Sequence, residues 1–518
     1  MSDVPNGWIG VSLDDVARII RGVTYKREQS TDVPKEGFVP VLRATNVTGV
    51  ALTFDELVYV PAENVSTEQI LRLGDVVIAS SSGSKEIVGK AGSFLGGDFY
   101  GSFGAFCTGI RPSLFLSRSY FLYYFQTPSY RKSVSALSAG SNINNLKTGD
   151  LSSQIFPLPP VSEQTRIVAK LEELLSDLDA GVAELKAAQK KLKQYRQSLL
   201  KSAVEGALTA DWRQQNPPAE TGAALLQRIL QERRARWEAK QLAKFKEQDK
   251  TPPKDWQKKY PEPVQPDTTG LPALPEGWVW ASLDALISDG PQNGLYLPSD
   301  KYGSGTPILR IDDYQIGWHR NRSALNLVDA DEAICKTYSL VTGDLVINRV
   351  NSMTHLGKSL LIGFQLEGVL FESNMMRATL STALSGAFIA HYIGSGIGRS
   401  RLIKGAKWAV NQASINQQDV RSTPVPLPPT SEQCEIARVL DDQFSAVTDQ
   451  GSAIDRALQQ STAQRQNILR AAFAGQLVPQ DPNDEPASVL LERIRAERAA
   501  QGTAKPARGR KPKVQPNA

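Results

Sequence analysis

The chain has 518 residues, too many for one hydrophobic core, so two or three domains are expected. Its composition is that of an ordinary globular protein, 41% hydrophobic with a net charge of only +5, which excludes a disordered or fibrous chain. Cys107, Cys335 and Cys434 lie far apart, which excludes a disulfide framework and fits a reducing compartment. No run of about 18 apolar residues suggests a membrane span, and MSDVPNGW lacks a signal pattern, so a cytoplasmic protein without membrane contact is expected.

Residues 1–157 read as a first mixed α/β domain. Pro40-Val41-Leu42-Arg43 and Leu73-Gly74-Asp75-Val76-Val77-Ile78 are short apolar runs bounded by turn residues, the pattern of strands. A polar loop follows, from Ser80 to Gly89-Lys90.

Residues 158–209 open on LPPVSEQ and become one long amphipathic helix. Leu171, Leu174, Leu178, Gly181, Leu185, Ala188, Leu192, Tyr195 and Leu199 follow at alternating steps of three and four, the seam of a coiled coil. From Ser162 to Ser202 this helix would span roughly 60 Å at about 1.5 Å per residue. Ser162 is its expected N-cap, with Glu163 in the first turn.

Residues 210–274 form a charged helix followed by a proline-punctuated connector. From Arg228 to Lys259 eleven basic residues face five acidic ones, and seven prolines mark Pro252 to Pro275.

Then the chain repeats. Pro275-Glu276-Gly277-Trp278 returns Pro5-Asn6-Gly7-Trp8, and Pro307-Ile308-Leu309-Arg310 returns the earlier Pro-Val-Leu-Arg. Thr342-Gly343-Asp344-Leu345-Val346-Ile347 returns the Gly-Asp strand, with a polar loop from Asn348 to Lys358. LPPTSEQ from Leu427 returns LPPVSEQ at an offset of 269 residues, held without a gap to Leu477 on Leu208. The second seam is weaker: Leu440, Gln443, Val447, Gln450, Ile454, Ala457, Ser461, Gln464 and Ile468, with Ser431 as the expected N-cap. The expected fold class is therefore α/β, a tandem duplication of a mixed α/β domain (1–157, 275–426) plus a long helix (158–209, 427–478), the helices pairing. Residues 479–518 add a second charged helix, about Ala487 to Ala500, and a basic tail, Lys505 to Lys513, expected to be disordered.

Charge placement restrains inference about partners. Residues 1–155 hold fourteen basic and fourteen acidic residues, and residues 275–425 thirteen of each. Local clusters do occur: Arg399, Arg401, Lys404 and Lys407 run without an acid between them, beside Trp408, and Arg131 and Lys132 precede Asn142, Asn144 and Lys147. Such a cluster is either a solvated helix face or a phosphate grip beside amides that read base edges.

Two α/β domains, each followed by Pro-Leu-Pro-Pro-x-Ser-Glu-Gln and a long helix, resemble the specificity subunit of type I restriction-modification enzymes. The motif stands at Pro157–Gln164 and Pro426–Gln433, and the likeness covers almost the whole chain. The resemblance implies that each domain is a target recognition domain reading one half of a bipartite, asymmetric site on double-stranded DNA. It implies that the helices pack antiparallel, space the domains and dock two modification subunits, with restriction subunits completing a nuclease. No cofactor is expected in this chain; S-adenosylmethionine, Mg and ATP are expected on the partner subunits. The basic connector 210–274 departs from the minimal family pattern.

DNA contact is then expected from the loops after the Gly-Asp strands and the stretches before the LPP motifs. The candidates are Ser82, Lys85, Lys90, Arg131, Lys132, Asn142 and Asn144 in the first domain. In the second they are Arg349, Asn351, Lys358, Arg399, Arg401, Lys404, Lys407, Asn411 and Gln412. Leu171, Leu174, Leu178, Leu185, Leu192 and Leu199 are expected to pack against Leu440, Val447, Ile454 and Ile468.

The residues also argue against chemistry in this chain. An amino-methyltransferase needs an Asn/Asp-Pro-Pro-aromatic corner to grip a flipped base, and Asn216-Pro217-Pro218-Ala219 lacks the ring. Gly394-x-Gly396-x-Gly398 is not a dinucleotide pattern, and His319, His355 and His391 have no metal-ligand spacing. The alternatives are a self-contained DNA-modifying enzyme, disfavoured by that missing corner, and a coiled-coil scaffold without DNA binding, favoured only by the neutral domains.

Overall fold

The computed structural model describes residues 5–49, 51–137, 144–315, 318–409 and 412–502. Asn142, Asn411 and the tail Lys505 to Lys513 lie outside the described residues. The chain divides into two compact units, Met1–Lys186 with Asp455–Ala518, and Ala187–Ile454. Each unit holds one α/β domain, the start of one long helix and the end of the other.

In the first unit the strands are β1 (Ile9–Ser12), β2 (Ala17–Arg21), β3 (Phe38–Leu42), β4 (Val58–Pro61), β5 (Val76–Ala79), β6 (Ser81–Ser82), β7 (Ala91–Ser93), β8 (Ser102–Phe103), β9 (Cys107–Pro112), β10 (Asn144–Asn145) and β11 (Ile155–Leu158). They form a four-stranded sheet β2-β9-β5-β7, a three-stranded sheet β4-β3-β8 and the pairs β1-β11 and β6-β10. All four residues of β5 are buried, as its unbroken apolar run requires of a central strand. The Gly-Asp before it makes a tight turn. Gly74 sits at φ +93, and Asp75 accepts the Arg72 N–H at 2.8 Å and the Arg111 guanidinium from β9.

In the second unit the strands are β12 (Val279–Ser282), β13 (Ile287–Asn293), β14 (Tyr302–Leu309), β15 (Tyr314–Gln315), β16 (Trp318–His319), β17 (Asn326–Val328), β18 (Asp344–Asn348), β19 (Val350–Asn351), β20 (Ser359–Leu361), β21 (Leu370–Phe371), β22 (Met375–Leu380), β23 (Lys407–Ala409), β24 (Gln412–Ser414) and β25 (Pro424–Leu427). The sheets repeat the first unit: β13-β22-β18-β20, β17-β14-β21, and β12-β25. The small sheet gains a strand, as β19-β24-β23. The Gly-Asp turn recurs, with Gly343 at φ +93 and Asp344 accepting the Val341 N–H at 2.9 Å.

The long helices span Val161–Val204 and Thr430–Phe473, 44 residues each, or about 66 Å. In the first unit Leu171 and Leu175 share a core with Leu469 and Ala472, and Asp179 pairs with Arg465 at 2.6 Å. In the second, Leu440 and Phe444 share a core with Leu199, Leu200, Ala203 and Val204, and the Tyr195 hydroxyl donates to Gln443 at 3.1 Å. The start of one helix lies along the end of the other in both units, so the helices run antiparallel. Leu174, Leu178, Leu185, Leu192, Val447, Ile454 and Ile468 are half-buried, as a two-helix seam leaves them. Three seam positions shift: Tyr195, Gln450 and Gln464 are exposed, and Arg196, Gly451 and Arg465 take the half-buried places. The Arg196 guanidinium lies over the Phe444 ring at 4.4 Å, a cation–π contact at this seam position.

The expected N-caps are corrected. The helices begin at Val161 and Thr430, leaving Ser162 and Ser431 inside the first turn. The Gln164 and Gln433 N–H groups bond the Pro160 and Pro429 carbonyls, and Ser162 Oγ donates to Asp484 instead. Leu158 and Pro159 each precede a proline and so are held extended, as are Leu427 and Pro428, which delays the helix start until after the second proline.

A further helix follows each long helix and packs back on its unit: Gly222–Glu247 through Leu225 and Ile229, and Ala487–Gly502 through Leu490, Leu491 and Ile494. Beyond its docked half, Gly222–Glu247 is held by the connector, with Trp237 stacked on Trp256 at 5.7 Å and set edge-on to Tyr260.

Candidate nucleic-acid interface

The motif shared by the two halves is an anchor. Trp8 Nε1 donates to Glu163 at 2.9 Å, and Trp278 Nε1 donates to Glu432 at 2.8 Å. Gln164 accepts the Ser117 N–H at 3.0 Å and donates to the Pro159 carbonyl at 3.0 Å. Gln433 accepts the Ser385 N–H at 3.0 Å and donates to the Pro428 carbonyl at 2.9 Å. Each Ser-Glu-Gln thus fastens the first turn of a long helix to its α/β domain through buried bonds, with both Glu and both Gln side chains buried. Burial raises the Glu163 carboxyl above its ordinary value, opposed by the Trp8 bond.

At the end of the central strand, the two stretches named from sequence meet. In the first domain β6 pairs with β10, with Ser82 opposite Asn144. In the second, β19 pairs with β24, with Asn351 opposite Ala413, and β24 pairs with β23, with Lys407 opposite Ser414. The loop after the Gly-Asp strand and the stretch before the LPP motif are therefore neighbours in one small sheet in both domains.

Two arginines hold those loops. Arg131 donates to the Val88 and Glu86 carbonyls at 3.1 and 3.2 Å. Arg399 donates to the Leu356 carbonyl at 2.9 Å and to the Met353 carbonyl. Gly89 and Gly357, at φ +77 and +75, allow the loops to press on these helices, where a Cβ would strike Val134 or Ile403. Lys358 is likewise occupied, donating to the Ile311 and Tyr314 carbonyls at 2.6 Å each above the Tyr314 ring. Burial lowers the pKa of both Arg399 and Lys358.

The other candidates fall into three groups. Lys85, Lys132, Lys407 and Gln412 are exposed, and Ser82, Lys90 and Asn351 are half-buried. Arg349 donates to the Ser373 carbonyl at 3.1 Å, with its Nε buried and without a partner. Arg401 and Lys404 turn to the connector, Arg401 donating to the Thr269 carbonyl at 2.8 Å and Lys404 pairing with Asp267 at 2.9 Å. The Lys404 ammonium holds the Asp267 carboxyl well below its usual range.

One feature was not assigned from sequence. Arg43, in the repeated Pro-Val-Leu-Arg, lines a cleft of about 650 Å³ with Tyr25, Arg27, Asp32 and Phe106. The Phe106 carbonyl accepts the Ser80 and Ser81 N–H groups, so the cleft borders β6, and its ring is exposed. The repeat of that arginine as Arg310 was the available signal. Among the described residues, no group of three or more His, Cys, Asp or Glu is arranged to hold a metal ion. His391 Nε2 lies 2.8 Å from Asp441. No helix of the described residues is long and apolar enough to cross a membrane.

A tandem of α/β domains, each bolted to one of two antiparallel helices and each carrying a small polar sheet, defines the class of protein. A family model for the type I restriction modification DNA specificity domain matches residues 5–190. The type I restriction enzyme EcoKI specificity subunit of Escherichia coli (strain K12) is 30% identical over 516 residues, 98% of each chain. The type I restriction enzyme StySPI specificity subunit of Salmonella potsdam is 30% identical over 521 residues, again 98% of each. A solved chain from work on complex assembly and conformational transition of the type I R-M system shares the fold, with a TM-score of 0.62 and 16% identity over 92% of this chain and 100% of that one. The chain belongs to the type I restriction enzyme specificity subunits.

Proposed function

We propose that this chain is the non-catalytic recognition subunit of a type I restriction-modification complex in the cytoplasm. Each α/β domain reads one half of a bipartite, asymmetric site on double-stranded DNA. The long helices set the spacing and dock two modification subunits, and restriction subunits join that assembly. S-adenosylmethionine, Mg and ATP belong to the partners.

The observation that carries this reading is the shared small sheet. In both domains it joins the loop after the Gly-Asp strand to the stretch before the LPP motif, and Arg131 and Arg399 hold the loops in shape. A preorganised polar surface of Ser, Asn, Gln and Lys side chains suits base-edge and phosphate contact. The name of the Escherichia coli relative supports the assignment.

Methylome sequencing of the host, followed by gel shifts with and without modification subunits, tests it. A bipartite methylated motif that disappears on deletion of this gene, and is bound by the complex, is the expected result. A motif that survives the deletion, or a complex with no sequence preference, overturns it.

A further inference from the structure

The arginine that follows each repeated strand meets a different neighbour in each domain. In the parallel pair β3-β8, Leu42 lies opposite Phe103, and in β14-β21, Leu309 lies opposite Phe371. The next residues are Arg43 and Gly104 in the first domain, and Arg310 and Glu372 in the second. The backbone frame is the same, since the Gly104 N–H donates to the Leu42 carbonyl at 2.8 Å and the Glu372 N–H to the Leu309 carbonyl at 3.1 Å. Both arginines have a buried Nε without a hydrogen-bond partner.

In the second domain the charge is answered from within. The Glu372 carboxylate is buried, lies 3.5 Å from Arg310 and accepts the Ile311 N–H at 2.7 Å. In the first domain Gly104 brings no carboxylate and lines the cleft of about 650 Å³ beside Arg43. Arg43 is steadied from one side, its Nη2 donating to the Glu56 carbonyl at 2.6 Å. The Glu56 carboxylate is 3.8 Å away and 89% exposed, a weak partner. Among the described residues the Arg43 Nη1 has no hydrogen-bond partner.

The other charges lining the cleft, Arg27 and Asp32, are opposite in sign, and Tyr25 and Phe106 bring flat rings. Asp32 would repel a phosphate, so the cleft suits an uncharged planar group that accepts hydrogen bonds. Arginine's forked donors match one such edge, the O6 and N7 of guanine in the major groove. The Phe106 carbonyl accepts the Ser80 and Ser81 N–H groups, which sets the cleft beside β6 of the small sheet.

We propose that Arg43 is a guanine-reading residue of the first domain, and that Arg310, neutralised by Glu372, has no such role in the second. The Arg43 Nη1 and the remaining Nη2 hydrogen take O6 and N7, with the rings of Tyr25 and Phe106 bordering the base. This role rests on the recognition reading above and adds to it one residue and one base.

The test uses the full chain with its modification subunits and a duplex carrying the site found by methylome sequencing. Arg43→Ala should lower discrimination at one G·C pair by about 5- to 150-fold, with the salt slope unchanged. Arg43→Lys should relax the same pair, because an ammonium lacks the fork that matches two acceptors. Gly104→Glu brings the second domain's carboxylate beside Arg43 and should relax that pair with the arginine still present. A Cβ at Gly104 meets Val41 at 3.4 Å and Tyr25 at 3.6 Å, ordinary contacts that admit the side chain. Arg310→Lys, which keeps a cation beside Glu372, should leave every base position as selective as before. Co-purification with the modification subunits reports folding, and if Arg43→Ala fails it, the other variants decide. Undiminished discrimination in the Arg43 and Gly104 variants, relaxation at an A·T pair, or a base position lost in Arg310→Lys overturns the inference. So does failure of all three first-domain variants to co-purify, which would make Arg43 structural. Uniform weakening across sequences, with a salt slope lower by about one, would mark a phosphate contact and overturn it too. If the wild-type complex prefers no sequence, the recognition reading itself falls.

Discussion

The two helix anchors use the same indole and carboxylate, yet their carboxylates are satisfied differently. In the second unit Glu432 Oε2 takes the Trp278 indole, while Oε1 takes the Thr209 hydroxyl at 2.7 Å and the Arg213 guanidinium at 2.9 Å. In the first unit Glu163 Oε2 takes the Trp8 indole, and Oε1 is buried without a partner. The offset of 269 that places Leu477 on Leu208 places Val478 on Thr209, so the donor is lost. The same offset places Pro482 on Arg213, so the guanidinium is lost too, and Arg166, three residues along from Glu163, pairs with Asp484 at 2.6 Å. Duplication preserved the bond that joins helix to domain and let its electrostatic setting diverge.

Neutralising each carboxylate should separate the two anchors most strongly. Glu432→Gln should destabilise the protein by about 3 kcal/mol, because it strands a partly buried guanidinium. Glu163→Gln should cost less than about 1 kcal/mol, since one oxygen has no donor to lose. Urea unfolding of both variants decides it, and equal costs would dissolve the distinction.

The first anchor also responds to pH. Burial raises the folded-state pKa of Glu163 above the unfolded value of about 4.3. The folded state therefore binds this proton more tightly than the unfolded state. The resulting stabilisation is fully present below about 4.3 and is lost as pH rises through the raised value. Glu163→Gln should remove that pH dependence from unfolding curves, while a wild-type slope retained in the variant would place its origin elsewhere.

The loop-holding arginines differ by domain at the proposed interface. Arg131→Ala and Arg399→Ala should each cost about 1–3 kcal/mol of stability through lost carbonyl bonds. Each should relax recognition of one half-site only. Selection of bound sequences from a random pool reads this directly, and relaxation of both halves by either variant would contradict independent domains.

A change in the helices should act on the gap alone. Val204 is packed in a core, so an insertion belongs in the half-buried middle of both helices. Four residues in each add about 6 Å and about 40° beyond a full turn. One base pair advances about 3.4 Å and turns roughly 35°. The preferred spacer should lengthen by one base pair with both half-sites kept, as methylation of graded oligonucleotides would show. The smallest effect is expected at Asp267→Asn, an exposed ion pair whose loss should leave thermal melting unchanged.

Much of this architecture was legible in sequence because its signals are periodic or repeated. A 3.5-residue seam marks a helix pair, and the second Trp-to-LPP segment repeats the first. The Gly-Asp turn announced the central strand of each domain. The site was legible only as two stretches, not as a surface. Arg399 and Lys358 look identical in sequence to exposed cations, yet their charges are spent on backbone carbonyls.

What the sequence determined by itself was the duplication, the long helices and the family, since local periodicity and a fixed offset depend on no distant contact. Only the tertiary structure decided that Ser-Glu-Gln is an anchor rather than a helix cap. Trp8 and Glu163 lie 155 residues apart along the chain, and no local pattern records a bond that folding makes. The same holds for the pairing of Asn351 with Ala413 and of Lys407 with Ser414, which exists only through strand register. Register is set by the burial of whole strands, and a one-residue slip would send each side chain to the opposite face.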